Sequence, residues 1–333
     1  MNKLLYYWAL LIVCMSCHNH GIDKYQKDRK ITTNVKSSIT EIPLDSILIG
    51  QYAHVYILGE YLLISDARSF DKSIHVFNKN NFQYLASTAN RGEGPNEITV
   101  LGHIGTDNIH KKFYVTDHGK LKIYSFDVDS VIKYPEYIPS VKMRIKPENF
   151  PSEYTYINDT LCIGRTIVPN GTNDYTPYVS RWNMLTNEII PISPASEMKH
   201  KRITFAASPQ YGLALELYTF YDRIAVFDFE GNLKYNIYGP QWTNSDSKRI
   251  HYYSDAVFCK NNKFIASYSG GSNRTDEYYP TKLIVFNTDG DYVRTLDVGY
   301  KISHFCYDEE NNRLIFNFND DIQFGYLDLN NLL

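Results

Sequence analysis

The sequence has no marked excess of either charge and no long hydrophobic run. Its 34 Lys and Arg residues nearly balance 37 Asp and Glu residues, which leaves a formal net charge of -3. This balance excludes a protein that binds nucleic acid through a basic face. The apolar run at residues 4–13 is too short to cross a bilayer core of roughly 30 Å, so it does not predict a transmembrane helix.

Cysteine is scarce, and two motifs of catalytic or metal-binding proteins are missing. Beyond the first 17 residues the chain has only Cys162, Cys259 and Cys306, an odd number that cannot form a complete disulfide framework. No Cys-x-x-Cys pair occurs, which excludes a zinc finger or a thioredoxin-like site. The absence of Gly-x-Ser-x-Gly disfavours a serine hydrolase. We interpret the three thiols as free core residues.

The N-terminus predicts export and a lipid anchor. Lys3 precedes the apolar run, as in a secretory signal peptide. The segment Val13-Cys14-Met15-Ser16-Cys17 resembles the loose lipoprotein cleavage signal of Bacteroidetes. We predict a signal peptide at residues 1–16, lipidation of Cys17 and a flexible polar tether over residues 17–34, with the protein on the outer membrane, facing the periplasm or the outside. A plain secreted protein is the alternative.

Aromatic residues are abundant and indicate β-structure. The chain has 29 Tyr and 17 Phe, and 43% of its residues are hydrophobic, which favours a folded chain of half-buried pleated surfaces. An apolar strand, a short polar turn and a second apolar strand recur six times over residues 51–333, or about 47 residues per repeat. This length matches a four-stranded propeller blade. The pattern therefore predicts an all-β fold of six blades.

The two ends of the chain predict how the ring of blades closes. The last repeat stops after its third strand, whereas residues 38–44 read as a single strand before the first repeat. If this strand completes the last blade, no open sheet edge is left at the junction. We therefore predict one domain over residues 35–333, closed by its N-terminal strand, and a monomer.

Three sequence segments resemble a known family. The segments are Ile64-Ser65-Asp66-Ala67-Arg68, His75-Val76-Phe77 and Arg91-Gly92-Glu93-Gly94-Pro95-Asn96-Glu97. They are similar to the TolB-like six-bladed propeller lipoproteins of Bacteroidetes, which carry a Gly-x-Gly-Pro-x-Glu turn after the first blade. The resemblance implies the fold and an extracytoplasmic location, but it implies little about function. We interpret the turn as a crossover between blades, with glycines at positive φ and a pairing of Arg91 with Glu97.

Four residues are candidates for a metal site in the central channel. His54, His103, Asp255 and His304 each fall near the start of a predicted innermost strand. The innermost strands of a propeller surround its channel, so these side chains are expected at one channel mouth. Three neutral imidazoles with an open fourth position can hold zinc and activate water. Polar residues that simply line a solvated channel are the alternative.

The face at this mouth also carries the loops between the second and third strands of each blade. Two long loops on it combine Tyr, Asn, Asp and Arg with Gly, a composition typical of surfaces that recognise sugars and peptides. The candidate ligand-binding residues are Arg68, His118, Tyr175, Tyr178, Arg274, Tyr278 and Tyr279.

Two functions are consistent with these features. We favour a lipid-anchored binding module for a peptide, protein or glycan, without catalytic residues or a cofactor. The alternative is a metal-dependent lyase or lactonase at the channel mouth, for which the four metal candidates would be the centre. No nucleic-acid partner is expected.

Overall fold

The computed structural model describes residues 22–333 apart from 45–46, 147–149, 172–173, 194–197, 199 and 246–248. The predicted signal peptide and Cys17 lie outside the described residues. Three short strands come first: β1 (Ile22–Tyr25), β2 (Thr32–Asn34) and β3 (Thr40–Glu41). They precede six sheets that follow one another along the chain.

The first three sheets, blades 1 to 3, each have four strands. Blade 1 contains β4 (His54–Leu58), β5 (Tyr61–Ser65), β6 (Lys72–Asn78) and β7 (Tyr84–Asn90). Blade 2 contains β8 (Leu101–Asp107), β9 (Lys112–Asp117), β10 (Lys122–Asp127) and β11 (Ser140–Arg144), with the short helix α1 (Val128–Lys133) between the last two strands. Blade 3 contains β12 (Phe150–Asn158), β13 (Leu161–Gly171), β14 (Asp174–Asn183) and β15 (Glu188–Pro191).

Blades 4 to 6 repeat this order and take up the three N-terminal strands. Blade 4 contains β16 (Ile203–Ser208), β17 (Leu213–Tyr218), β18 (Arg223–Asp228) and β19 (Leu233–Tyr238). Blade 5 contains β20 (Ile250–Cys259), β21 (Lys263–Ser272), β22 (Lys282–Asn287) and β23 (Tyr292–Asp297). Blade 6 contains β24 (Ile302–Asp308), β25 (Arg313–Phe318) and β26 (Phe324–Asp328). Short 3-10 turns occur at Lys36–Ser38 and Asp276–Tyr278.

The predicted closure by an N-terminal strand is confirmed. Strand β3 runs antiparallel to β26, with Thr40 opposite Tyr326 and Glu41 opposite Gly325, and so forms the fourth strand of blade 6. Ile42, directly after β3, donates its N–H to the carbonyl of Phe324 at 2.9 Å and is buried. Blade 6 is therefore built from both ends of the chain.

The segment predicted as a flexible tether differs from that expectation. Strand β1 pairs in parallel with β19, and β2 pairs in parallel with β23, so each adds a fifth strand to the outside of a blade. The outermost strands of blades 4 and 5, β19 and β23, would otherwise have unpaired backbone N–H and C=O groups. Strands β1 and β2 pair with these groups. Within the described residues, the propeller therefore begins before residue 35.

The hydrophobic core is divided among the six junctions between blades. Each of six clusters of buried side chains draws its members from two neighbouring blades, and one cluster joins blade 6 to blade 1. Large rings such as Phe77, Tyr154 and Phe286 fill these junctions. The high aromatic content thus has a direct role, because face-to-face packing of twisted sheets needs large flat side chains. The predicted all-β, six-bladed propeller is confirmed.

The Gly-x-Gly-Pro turn lies between blades 1 and 2, but its glycines serve close packing instead of a left-handed backbone. Neither Gly92 nor Gly94 has a positive φ. A Cβ on Gly92 would come within 2.0 Å of the Glu97 carboxylate, which accepts the Gly94 N–H at 2.7 Å. Arg91 donates to the carbonyl of Ser69 at 3.0 Å. The predicted pairing of Arg91 with Glu97 is therefore wrong.

Cys162, Cys259 and Cys306 are free, and the first two are buried as expected of core thiols. Cys306 is half-buried and lines the central channel. No helix in the described part of the chain is long and apolar enough to span a membrane.

Candidate functional site

All six innermost strands, β4, β8, β12, β16, β20 and β24, contribute to the wall of a central cavity of about 1030 Å³. The strands run from the face that carries the turns between second and third strands, which we call the loop face, to the opposite face. Residues at the starts of these strands consequently lie at the loop-face end of the channel.

His54 and His304 lie against each other in this channel. Their rings stack with centroids 4.4 Å apart and planes 13° apart. The backbone N–H of Val55 donates to Nδ1 of His304 at 3.3 Å, so Nε2 carries the proton of the neutral ring. This Nε2 lies 3.6 Å from Oδ2 of Asp255. Burial, together with the charges that His54 and His103 would carry, holds the pKa of His304 well below its ordinary value.

His103 lies on the next blade and is held by a different contact. Its Nε2 is 2.7 Å from the carbonyl oxygen of Tyr154, so Nε2 is the donor. The ring also meets Tyr56 edge-on, with centroids 5.6 Å apart. Burial lowers the pKa of His103 to about 4. The three channel histidines are therefore neutral at neutral pH.

The described residues do not provide the ligand set that zinc requires. Among them, no three His, Cys, Asp or Glu side chains are placed to hold one metal ion. The stacked rings of His54 and His304 place their nitrogen lone pairs in nearly parallel planes, whereas tetrahedral ligands must point to a common centre. His54, Asp255 and His304 are brought together by the fold, but the zinc hypothesis gains no support from their geometry.

Asp255 is a half-buried carboxylate whose pKa is raised. Its Oδ1 accepts the N–H of Ala256 at 2.8 Å, and its Oδ2 accepts the N–H of Phe305 at 3.4 Å. Burial is the main influence on its pKa and, with the charge of Glu153, raises it to about 7 despite these two hydrogen bonds. At neutral pH the channel thus holds one carboxyl group close to half protonation beside neutral imidazoles.

Asp255→Asn is expected to stabilise the protein increasingly as the pH rises. The folded-state pKa lies above the unfolded value of about 3.9, so the carboxylate destabilises the fold above that pH, and the cost is complete above pH 7. We expect urea denaturation to show a gain on the order of 2 kcal/mol at pH 8 and little gain at pH 4. A difference that is the same at both pH values would contradict the raised pKa.

A band of rings and guanidinium groups crosses the loop face beside the channel mouth. We call it the aromatic arc, and it consists of Tyr175, Arg202, Phe220, His251, Tyr278, Tyr279, Tyr52 and Arg68. Its members come from blades 3, 4 and 5, from the segment before blade 1 and from the turn between β5 and β6. They lie in strand ends and turns, and Phe220 also packs against the core between blades 3 and 4.

Each neighbouring pair along the arc is in contact or close to it. Arg202 donates to the Tyr175 hydroxyl at 3.1 Å, and its guanidinium carbon is 5.8 Å from the ring of Phe220. The ring centroids of Phe220 and His251 are 5.4 Å apart, those of His251 and Tyr278 are 5.6 Å apart, and those of Tyr278 and Tyr279 are 4.2 Å apart.

The far end of the arc reaches blade 1. Burial, and then the neighbouring hydroxyls of Tyr278 and Tyr52, raise the pKa of Tyr279. The guanidinium of Arg68 lies 4.1 Å from the ring centroid of Tyr52, a cation–π contact. The arc therefore begins and ends with an arginine that contacts a tyrosine.

Four of the seven predicted ligand residues, Arg68, Tyr175, Tyr278 and Tyr279, lie in the arc. Tyr178 is half-buried in β14, opposite Thr166, and Arg274 is exposed in the turn after β21. The ring of His118 lies against Gly102 in blade 2, where an added Cβ would be 2.4 Å from its Nε2. Sequence reasoning missed Tyr52, Arg202, Phe220 and His251, which the same rule of strand ends and turns would have included.

Comparison with known proteins supports the fold. The sequence model of the DUF5128 family, described as a 6-bladed beta-propeller, matches residues 17–159. No curated protein matches the sequence.

Solved structures of similar shape come from Bacteroides species. A member of the DUF4221 family from Bacteroides vulgatus has a TM-score of 0.56 at 12% identity, and the alignment covers 86% of this chain and 94% of that one. A protein from Bacteroides fragilis, described as exported, has a TM-score of 0.52 at 13% identity with 89% and 87% covered.

A third similar structure belongs to a longer protein. It is the extracellular domain of a one-component system from B. thetaiotaomicron, with a TM-score of 0.50 at 12% identity, and the alignment covers 82% of this chain but 33% of that one. At such low identities the likeness concerns the fold alone. This chain has the six-bladed β-propeller fold that the DUF5128 description names, and the three solved structures are similar to it in fold.

Proposed function

We propose that this chain is a lipid-anchored, extracytoplasmic propeller of the TolB-like lipoprotein type, which binds an extended glycan along the aromatic arc. The single observation that carries the proposal is the series of contacts among rings and a guanidinium from Tyr175 to Tyr279, with the Tyr52–Arg68 pair near its far end. Flat rings stack on sugar rings, and guanidiniums orient polar substituents. Peptides are usually recognised by a free sheet edge or an apolar groove, and the arc itself is built from neither.

The double variant Phe220→Ala/Tyr278→Ala is expected to lose at least tenfold in affinity for a glycan found by screening the wild type on an oligosaccharide array. Both rings lie at the centre of the arc, and truncating an aromatic side chain at the centre of a binding surface typically costs about 2 kcal/mol or more. The control is Tyr134→Ala, because this ring is exposed and follows α1, away from the loop face. If the double variant binds the glycan as tightly as the wild type, the binding site lies elsewhere. If a peptide binds instead, and its affinity falls in the double variant, the ligand of the arc is a peptide.

The extracytoplasmic part of the proposal has two supports. The N-terminal sequence carries a signal peptide pattern and Cys17, and two of the structurally similar proteins are described as exported or as an extracellular domain. A loop face that binds a glycan also suits a location outside the cytoplasm.

The docked N-terminal strands indicate how an anchor at Cys17 would orient the propeller. Strand β1 is parallel to β19, and β19 runs toward the loop face because its last residue, Tyr238, pairs with Arg223 at the start of β18. Ile22, the first residue of β1, therefore lies at the end of this strand that is nearer the opposite face. Ile22 is five positions after Cys17, and these five steps of the chain span at most about 18 Å. We infer that the opposite face lies near the membrane and that the arc faces away from it.

A fluorophore attached at Phe70→Cys is expected to be quenched less by a lipid-embedded quencher than one attached at Ile109→Cys. Phe70 is 99% exposed in a turn of the loop face, and Ile109 is 84% exposed in the hairpin between β8 and β9 on the opposite face. Cys17→Ser should move the protein to the soluble fraction with unchanged circular dichroism. Equal quenching at the two positions would contradict the orientation, and retained membrane binding of Cys17→Ser would contradict the anchor.

A further inference from the structure

A second pocket of about 380 Å³ opens on the loop face between blades 3, 4 and 5, next to the channel. Its wall includes two arginines, one histidine and several hydroxyl groups: Arg165, Arg202, His251, Thr204, Thr219 and Tyr175. None of the described residues that line it is acidic. The pocket lies at the Tyr175 end of the aromatic arc, with which it shares three side chains.

The two arginines of this pocket differ in how their charge is balanced. Arg165 donates to the Glu153 carboxylate at 2.7 Å and to the carbonyl of Ile203 at 2.8 Å, so its charge is neutralised and its side chain is fixed. Arg202 is exposed and donates to the neutral hydroxyl of Tyr175. Among the ion pairs between described residues, none includes Arg202. Among the described residues, no carboxylate therefore offsets the charge of this cation.

The charge of Arg202 affects the pKa of His251. Its ring lies between Phe220 and Tyr278, and burial together with the nearby charge of Arg202 lowers its pKa below the ordinary value. The imidazole is therefore neutral at neutral pH and leaves Arg202 as the charged group of the pocket. An anion placed beside Arg202 would reverse part of this effect.

We propose that this pocket binds the carboxylate-bearing terminal sugar of an acidic oligosaccharide, with Arg202 as the residue that recognises the carboxylate. This inference rests on the proposed function, because the neutral remainder of the glycan would extend along the arc. A planar guanidinium donates two parallel hydrogen bonds to a carboxylate. The hydroxyls of Thr204 and Thr219 suit the hydroxyls of a sugar ring.

The distribution of charge along the arc favours an acidic sugar over an acidic peptide. After Arg202 the arc continues through Phe220, His251, Tyr278 and Tyr279, and none of these side chains is a cation at neutral pH. The next cation, Arg68, lies only at the far end of the arc, beside Tyr52. A peptide with several carboxylates would need several cations in succession. A ligand with one terminal charge followed by neutral rings matches the stretch from Arg202 to Tyr279.

The test compares cellobiouronic acid, a disaccharide of glucuronate and glucose, with its methyl ester, which keeps the shape and removes the charge. Binding is followed by the NMR shifts of the His251 ring in the full chain. We expect the acid to bind at least tenfold more tightly than the ester, because hydrogen bonds from a guanidinium to a carboxylate are stronger than those to a neutral ester. We also expect the acid, and not the ester, to raise the pKa of His251.

Arg202→Gln should remove this preference by weakening binding of the acid much more than binding of the ester, and Arg202→Lys should restore part of it. Arg144→Gln, an exposed arginine in β11, is the control and should behave as the wild type. Equal affinity of acid and ester, or no binding of the acid at millimolar concentration, would overturn the inference. If acid and ester bind equally and Phe220→Ala/Tyr278→Ala abolishes the binding of both, the inference fails and the proposed function stands. If triglutamate binds in an Arg202-dependent way and the sugar acid does not bind, the ligand is a peptide and not a glycan.

Discussion

Asp308→Ala is expected to lower the free energy of unfolding by about 3–5 kcal/mol. The carboxylate lies between two cations, with Oδ1 3.0 Å from Lys79 Nζ and Oδ2 3.0 Å from Arg313 Nε. The side chain of Asp308 is fully buried, and those of Lys79 and Arg313 are 3% and 10% exposed. Removing the carboxylate would leave Arg313 without its ion-pair partner in a site with little water, and Lys79 would keep only the exposed Glu310, 2.8 Å away. This loss is more costly than the loss of an exposed pair.

The location of this group adds to the expected effect. Lys79 follows β6 of blade 1, whereas Asp308 and Arg313 belong to blade 6, so the ion pairs cross the junction that closes the ring. Arg313 also donates to the carbonyl of Lys79 at 2.6 Å, and its guanidinium lies 5.1 Å from the ring of Phe82. Urea denaturation followed by circular dichroism would measure the loss.

The effect of Asp308→Ala should depend on pH in a defined direction. Burial alone would raise the pKa of Asp308, but hydrogen bonds from Asn311 and Lys79 and the charges of Lys79 and Arg313 hold it below its ordinary value. A lowered folded-state pKa gives stability that is complete above the unfolded value of about 3.9 and is lost as the pH falls through the folded value. The difference between variant and wild type should therefore shrink below about pH 4.

The matched control is Asp28→Ala. Asp28 pairs with Lys30 at 2.9 Å, and both side chains are more than half exposed, so we expect less than about 1 kcal/mol for its removal. A loss for Asp308→Ala no larger than for Asp28→Ala would show that the buried group at the junction does not stabilise the ring.

The fold could be predicted because its signals are local and repeated. The repeat length, the aromatic content and a last repeat without its fourth strand together indicated six blades and the partner of β26. Strands β1 and β2 gave no such signal, because their sequences IDKY and TTN contain no alternation of apolar residues. These strands pair through backbone groups on the outside of four-stranded blades. Such pairing does not require a particular pattern of side chains, so the sequence does not indicate it.

The candidate site was predictable only in part, for a different reason. The equivalent positions of His54, His103 and His304 in the repeats place them in one channel, but the repeat does not determine the direction of each ring. The bonds of His103 to the Tyr154 carbonyl and of Val55 to His304 depend on the neighbouring blades. The contact of Arg202 with Tyr175 likewise joins residues of two blades.

Arg29 is the residue of the N-terminal segment that enters the propeller most deeply. One guanidinium nitrogen donates to the hydroxyl of Tyr253 at 2.9 Å and lies 3.5 Å from Oδ1 of Asp222. Tyr253 in turn donates to the same carboxylate oxygen at 2.8 Å, and Tyr268 donates to the other at 3.2 Å. The guanidinium carbon is 5.0 Å from the ring of Tyr268. Arg29 thereby joins the segment between β1 and β2 to both blade 4 and blade 5.

Arg29→Ala is expected to lower the free energy of unfolding by about 3 kcal/mol, because Asp222 would stay fully buried without its cation. Amide exchange in β1 and β2 should also accelerate, since the segment between them would lose its attachment. Lys24→Ala is the control on the same segment: Lys24 pairs with the largely exposed Asp291 at 2.8 Å, and its removal should cost less than about 1 kcal/mol. If the two variants lose the same stability and exchange alike, backbone pairing of β1 and β2 is sufficient to hold the segment. If Arg29→Ala alone loosens both strands, the stretch predicted as a free tether is instead a structural part of blades 4 and 5, as the burial of its arginine requires.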